Sequence, residues 1–335
     1  MQGDEQRGSR RRRYIAWAKH VASLVVLGAV AWLLWAQARR HWNSISRFHV
    51  ELSAPELAAS FVLCLVAFLL ETGVWQRALN VAMGRREVSF ADSIAMNNTS
   101  NLLKYLPGRV WSYGAQMVWL GTRGVSKGRV LYVNAICLLI SMLVSTALGG
   151  AYLIVYAAPR GSGWLAWPLL LVALIAGILV GPRVLVASLG LVRRLMKADI
   201  EVTATPPAEL LAFGSVYVVV WLLVGIAGYC AALGVGLSVS IHDVTGITAS
   251  MSVAWVVGYL SAVSPGGLGV REGLMSLMLV RISRPETALI LPIVSRLLYL
   301  AVEVLLGLIG TAIGLRQGLF TTGLRGRGAQ READQ

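Results

Sequence analysis

Apolar residues in this chain fall in long blocks, with neither the two-residue alternation of a half-buried strand nor the one-sided stripe of a soluble amphipathic helix. The blocks run for about 18 to 28 residues, enough to cross a hydrocarbon core roughly 30 Å thick at about 1.5 Å per helical residue. Six of them predict full spans: Val21 to Ala38, Leu57 to Ala78, Val130 to Ala158, Trp164 to Gly181, Leu210 to Gly236 and Ala288 to Leu315. Spanning strands would be shorter and alternating, so a transmembrane β-barrel is excluded. Pro55 and Pro206 stand near the starts of the second and fifth blocks, where the missing amide donor costs nothing.

Two further segments are apolar but broken. Ala91 to Gly121 is interrupted at Leu106-Pro107-Gly108, and Asp243 to Val280 at Ser264-Pro265-Gly266-Gly267-Leu268-Gly269. Such breaks free backbone groups that lipid cannot satisfy, so they belong inside a protein bundle or beside trapped water. Both segments are read as re-entrant helical hairpins; a kinked full span or a surface loop is the alternative. From Pro107 to Lys127 is 20 residues, and from Pro265 to Pro285 is also 20. The series of span, broken segment and span therefore occurs twice, as repeat one (51–158) and repeat two (206–316). Aligned without gaps over 44 residues from Pro107, the halves share only nine identities, so the repeat rests on the order of hydropathy and the placing of the breaks. The expected fold is an all-α integral membrane protein, with about six full spans and two re-entrant hairpins in inverted-topology repeats.

Composition agrees: of 335 residues, 56% are hydrophobic and 14% charged, against roughly 25% charged in a soluble domain. The formal charge of +14 would suggest nucleic acid in a soluble chain, but the basic residues sit mainly at block ends, where they meet headgroups. With the N-terminus inside, cytoplasmic ends and loops collect 20 of the 30 Lys and Arg residues and external ones six, which predicts a multi-pass protein of the cell membrane with both termini cytoplasmic. Arg39, Arg40 and Arg47 run against the rule. Residues 1–16 read as a basic cytoplasmic tail, 17–320 as one membrane domain and 321–335 as a disordered tail. Arg10 to Arg13 ahead of an apolar block imitates a signal peptide, but the block ends in Trp35 and Arg39 without a small-residue cleavage site, so a retained span is expected. Cys64, Cys137 and Cys230 lie inside apolar blocks and read as small hydrophobes. The four histidines are scattered, and neither a phosphate loop nor a dinucleotide fingerprint is present; no metal and no cofactor are expected.

Charged residues at membrane depth cost about 2.5 to 3.5 kcal/mol each on insertion scales, so they need partners or purposes. Glu71 lies in the second span, Lys104 and Arg109 flank the first break, Arg271 and Glu272 follow the second, and Arg296 and Glu303 lie in the last span. Lys104, Arg109, Arg271 and Arg296 are the candidate substrate-binding cations, since a guanidinium fork matches a phosphate and keeps its charge in a poorly hydrated site. Glu71, Glu272 and Glu303 are the candidates for balancing charge or carrying a proton. Glu272 is equally readable as a first-turn cap, and Glu71 or Glu272 as a structural counter-ion to Arg296. The polar run Asn97-Asn98-Thr99-Ser100-Asn101 either lines an aqueous path or joins helices by hydrogen bonds.

The stretch Ser264-Pro265-Gly266-Gly267-Leu268-Gly269-Val270-Arg271-Glu272-Gly273 resembles the signature of the lysylphosphatidylglycerol synthetase transmembrane region, also called the flippase-like family. Leu106-Pro107-Gly108-Arg109 is similar to its earlier Leu-Pro-Gly motif, and Ser295-Arg296-Leu297 to its basic position in the last span. The likeness covers roughly residues 15 to 320. It departs at Val110-Trp111-Ser112-Tyr113-Gly114, where the family usually has a glycine and an acidic residue, and at Leu138, the third-span position matching Arg296. The resemblance implies movement of phospholipids, aminoacylated phospholipids or polyprenyl-linked lipids between leaflets. The soluble acyltransferase-like domain of full synthetases has no counterpart before Gln335, so lipid lysylation is not expected and the chain reads as a transporter rather than an enzyme. The expected partner is a membrane lipid with an anionic headgroup. The other reading is an accessory subunit that docks a glycosyltransferase or lipid-synthesis enzyme and moves nothing itself.

Overall fold

In the computed structural model, residues 51–105, 110–157, 166–196, 204–261 and 269–319 are described, together with Trp32, Trp35, Arg39 and Gly267. Every regular element among them is helical: α1 (Ala54–Met83), α2 (Phe90–Ser93), a π turn (Ile94–Asn98), α3 (Thr99–Leu102), a 3-10 turn (Leu103–Tyr105), α4 (Val110–Gly121), α5 (Lys127–Ala157), α6 (Ala166–Met196), α7 (Pro207–Gly234), α8 (Asp243–Leu260), α9 (Val270–Leu279) and α10 (Pro285–Arg316). Five helices, α1, α5, α6, α7 and α10, are long and apolar enough to cross a membrane, with mean hydropathy of 2.1 to 2.4 in their most apolar stretches. They coincide with five of the six expected spans. The sixth, Val21 to Ala38, lies outside the described residues, as do the tails 1–16 and 321–335.

Helix starts follow the prolines. Pro55, Pro207 and Pro285 occupy the first turns of α1, α7 and α10, where the ring's fixed φ is already helical and no amide donor is wanted. The fourth span is longer than expected: α6 passes through Pro182 and ends at Met196 rather than at Gly181. A proline removes one hydrogen bond and bends a helix, yet the chain on either side stays helical when those residues favour it.

The two halves are built alike and packed crosswise. The five-residue connectors 122–126 and 280–284 occupy equivalent places before α5 and α10. The amide of Ser53 donates to Gly234 O at 2.9 Å, while at the other end the Arg77 fork donates to both oxygens of Glu209 at 2.5 and 3.0 Å. Thus α1 and α7, the opening helices of the halves, run antiparallel, as inverted repeats require. The first broken segment seats its α2–α3 arm on α10, and the second seats α8 on α5. Each half supplies the final helix against which the other half's broken segment lies.

Both broken segments fold back. Arg123 reaches Asp92 at 3.0 and 3.2 Å, and Gln116 reaches Asn97 and Ser100, so α4 returns alongside α2 and α3. In the second segment α8 and α9 pack together, with Gly258 against Arg271. The first segment enters beside the end of α1, where Asn80 bonds Val88, and the second beside the end of α7. Since α1 and α7 are antiparallel, the hairpins enter from opposite ends of the bundle. The expected breaks at Pro107, Gly108, Pro265 and Gly266 lie outside the described residues. Gly267 and Gly269 have φ of +72° and +82°, and a Cβ on Gly267 would stand 2.7 Å from the Gly258 carbonyl oxygen. Only glycine fits this turn without strain and without driving the two arms apart.

Candidate functional site

Between the hairpins and the long helices lies a cavity of about 260 Å³, lined from both halves. Helix α1 contributes Glu71 and Trp75, the first hairpin Asn97, Asn101, Lys104 and Tyr113, and the second hairpin Tyr259 and Arg271. Arg296, Tyr299 and Glu303 enter from α10, Asn134 and Leu138 from α5. Their spacing explains the convergence: Arg296, Tyr299 and Glu303 stand three and four residues apart, which stacks them on one helix face. Glu71 and Trp75 do the same on α1.

The charges are arranged as partners across elements. Lys104 Nζ lies 2.5 Å from Glu303 Oε1, joining the 3-10 turn of the first hairpin to α10. Arg296 Nε lies 3.6 Å from Glu272 Oε1, joining α10 to the second hairpin, and both side chains are close to nine-tenths buried. Glu272 also accepts the Gly269 amide at 2.7 Å, so it caps α9 and faces Arg296 at once. The Arg271 guanidinium carbon lies 4.7 Å from the centroid of the Tyr299 ring, a cation–π contact between two residues of the cavity lining. Among the described residues, Arg271 has no carboxylate partner and Glu71 no ion pair. Three cations, Lys104, Arg271 and Arg296, thus accompany three carboxylates, Glu71, Glu272 and Glu303.

A second layer is polar but uncharged. Fully buried Gln116 donates to Asn97 Oδ1 at 3.2 Å and Ser100 Oγ at 2.7 Å, and accepts from Asn134 Nδ2 at 2.7 Å. Asn98 donates to Thr72 Oγ1 at 3.2 Å, and Thr99 meets Thr311 at 3.3 Å. The hydrogen bonds of the polar run join helices, and Asn97 and Asn101 also face the cavity. Replacing Gln116 with Leu leaves Asn97 Oδ1 without its donor and takes one hydrogen bond each from Ser100 and Asn134, which keep others to Asn97 O and Val130 O, and is expected to lower stability by about 1 to 3 kcal/mol, the cost of one unmet buried group. Thermal unfolding in detergent reads this; a Tm equal to wild type counts against the network's importance.

Aromatic rings close another side. Trp221 and Trp255 meet edge to face with centroids 5.2 Å apart, and Trp255 leads to Tyr259 at 5.6 Å. The Tyr259 hydroxyl meets the Tyr113 hydroxyl at 3.0 Å, linking the inner parts of the two hairpins. The Trp75 indole N–H is buried beside the cavity without an acceptor.

Of the candidate residues, Glu71, Lys104, Arg271, Arg296 and Glu303 line one cavity, and Glu272 stands behind Arg296. Arg109 lies outside the described residues. Gln116, Asn134, Trp75 and the paired tyrosines were not singled out in the sequence. The signal for the first two was there: an amide inside an apolar helix needs a partner. The aromatic residues carry no such mark, because a ring in a helix is ordinarily core.

Long apolar helices around a charged interior chamber, with two hairpins reaching it from opposite ends, define a multi-pass α-helical membrane protein with a polar site inside the bundle. Over residues 20–307 the chain matches the family described as Lysylphosphatidylglycerol synthase TM region, and it belongs to that family. A comparison with curated proteins gives no match.

Proposed function

We propose that the chain is a lipid transporter: it carries an anionic lipid headgroup, phospholipid or polyprenyl-linked, between leaflets of the cell membrane and leaves it chemically unaltered. The observation that carries this reading is the cavity in which Lys104, Arg271 and Arg296 gather from both halves, between hairpins that enter from opposite ends. A phosphate crossing hydrocarbon alone faces a heavy desolvation penalty, which fixed cations and hydrogen-bond donors offset. Arg271 offers a planar donor fork not already held by a carboxylate, and Trp75 an N–H without an acceptor. The acyl tails remain in the bilayer while the headgroup passes inside. In this reading both hairpins are re-entrant and both termini cytoplasmic, and each hairpin is the gate toward its own side, with the Tyr113–Tyr259 contact breaking and reforming as they alternate.

The test is leaflet exchange of a labelled anionic phospholipid in vesicles with and without the purified chain. Faster exchange with protein is expected; equal rates remove the proposal.

A further inference from the structure

We infer that the cavity takes up one proton, on Glu71, with each anionic headgroup it binds. The inference rests on the headgroup reading above and adds the coupling ion.

It begins with charge. Among the described residues, Lys104, Arg271 and Arg296 are matched by Glu71, Glu272 and Glu303, so these six charges sum to zero when all are ionised. A phosphodiester brings one more negative charge into a space walled by apolar and aromatic side chains, where an unbalanced ion is strongly disfavoured. Neutrality returns if one carboxylate accepts a proton.

The three carboxylates differ in what protonation would break. Glu303 is held by Lys104 at 2.5 Å. Glu272 divides its oxygens between the Gly269 amide at 2.7 Å and Arg296 at 3.6 Å, so protonation would loosen both the α9 cap and an ion pair. Glu71 has no ion pair among the described residues and borders the cavity directly. A proton there breaks no such contact.

The surroundings bring the headgroup and Glu71 into one electrostatic site. On its own helix stands Cys64. Across the cavity are Lys104 from the first hairpin, Cys137 from α5, Tyr217 from α7, Arg271 from α9, and Arg296, Tyr299 and Glu303 from α10. Lys104 and Glu303, whose opposite charges both act on Glu71, are paired with each other. An anion seated at Arg271 adds uncancelled repulsion to the ionised carboxylate, so anion and proton bind with positive coupling, each raising the affinity for the other.

The experiment uses the full chain in detergent and glycerophosphoglycerol, a phosphodiester headgroup that stays singly charged through the neutral range. Wild type is expected to take up about one proton per molecule bound in weakly buffered solution. Its affinity should weaken by about tenfold per pH unit where Glu71 starts ionised. Glu71→Gln, which fixes the neutral shape, should bind with the affinity wild type reaches in acid, show no pH dependence and take up no proton. Binding by wild type without proton uptake overturns the inference and leaves the headgroup reading standing, as does uptake that persists in Glu71→Gln. No binding by either protein overturns the headgroup reading, and the inference with it.

Discussion

Arg271→Ala is expected to slow leaflet exchange of an anionic lipid by about ten- to a hundredfold while the protein stays folded. Hydrogen bonds to a charged group contribute about 1.5 to 3 kcal/mol, and about 1.4 kcal/mol is tenfold. Arg271 stacks on Tyr299 and has no carboxylate at ion-pair distance among the described residues, so its removal breaks no direct salt bridge, although it leaves the charge of Glu71 unmatched in the cavity. Arg271→Lys keeps the charge but not the flat fork, and an intermediate rate is expected. The measurement is vesicle exchange at matched protein density, with the melting temperature in detergent as the check on folding. Wild-type exchange by Arg271→Ala would rule out this guanidinium as the headgroup's anchor.

Glu272→Ala should act on stability instead. It removes the carboxylate facing buried Arg296 and the acceptor of the Gly269 amide together. Breaking a buried ion pair from one side costs about 3 to 5 kcal/mol, because the surviving charge is left in a poor solvent. A large fall in melting temperature is therefore expected. Adding Arg296→Met to Glu272→Ala should recover most of it, as the stranded charge disappears too. If the double variant melts as low as the single one, the α9 cap rather than the ion pair holds the second hairpin.

The long helices were legible because lipid demands uninterrupted apolar runs of about twenty residues, a coarse pattern that no tertiary detail overrides. That the arms of both broken segments pack inside the bundle was legible for a related reason: freed backbone in a membrane needs protein around it. The pairing of charges was legible only in part: Glu272 was one of two counter-ions weighed for Arg296 and is the one that faces it, whereas Lys104 opposite Glu303 was not foreseen. Arg296 and Glu303 look like neighbours on one helix face, yet seven residues put them about 10 Å apart along the axis, beyond direct contact. Each instead meets a residue from a hairpin, Glu272 and Lys104 respectively. Spacing reports what shares a face; it cannot report what arrives opposite that face from about two hundred residues away. The extension of α6 past Gly181 escaped for another reason, since hydropathy marks where lipid ends and not where helix ends.

The exchange of seats between halves has a consequence for biogenesis. The amides and hydroxyls of residues 97–101 leave the ribosome long before α10, whose Gly307, Gly310 and Thr311 they pack against. Until α10 has been synthesised, that hairpin has only its contacts with α1 and α5, such as Asn98 with Thr72 and Gln116 with Asn134, and lacks the surface that Thr99 meets on α10. The cavity is therefore complete only once α10 is in place, since a chain ending before Pro285 would lack Arg296, Tyr299 and Glu303.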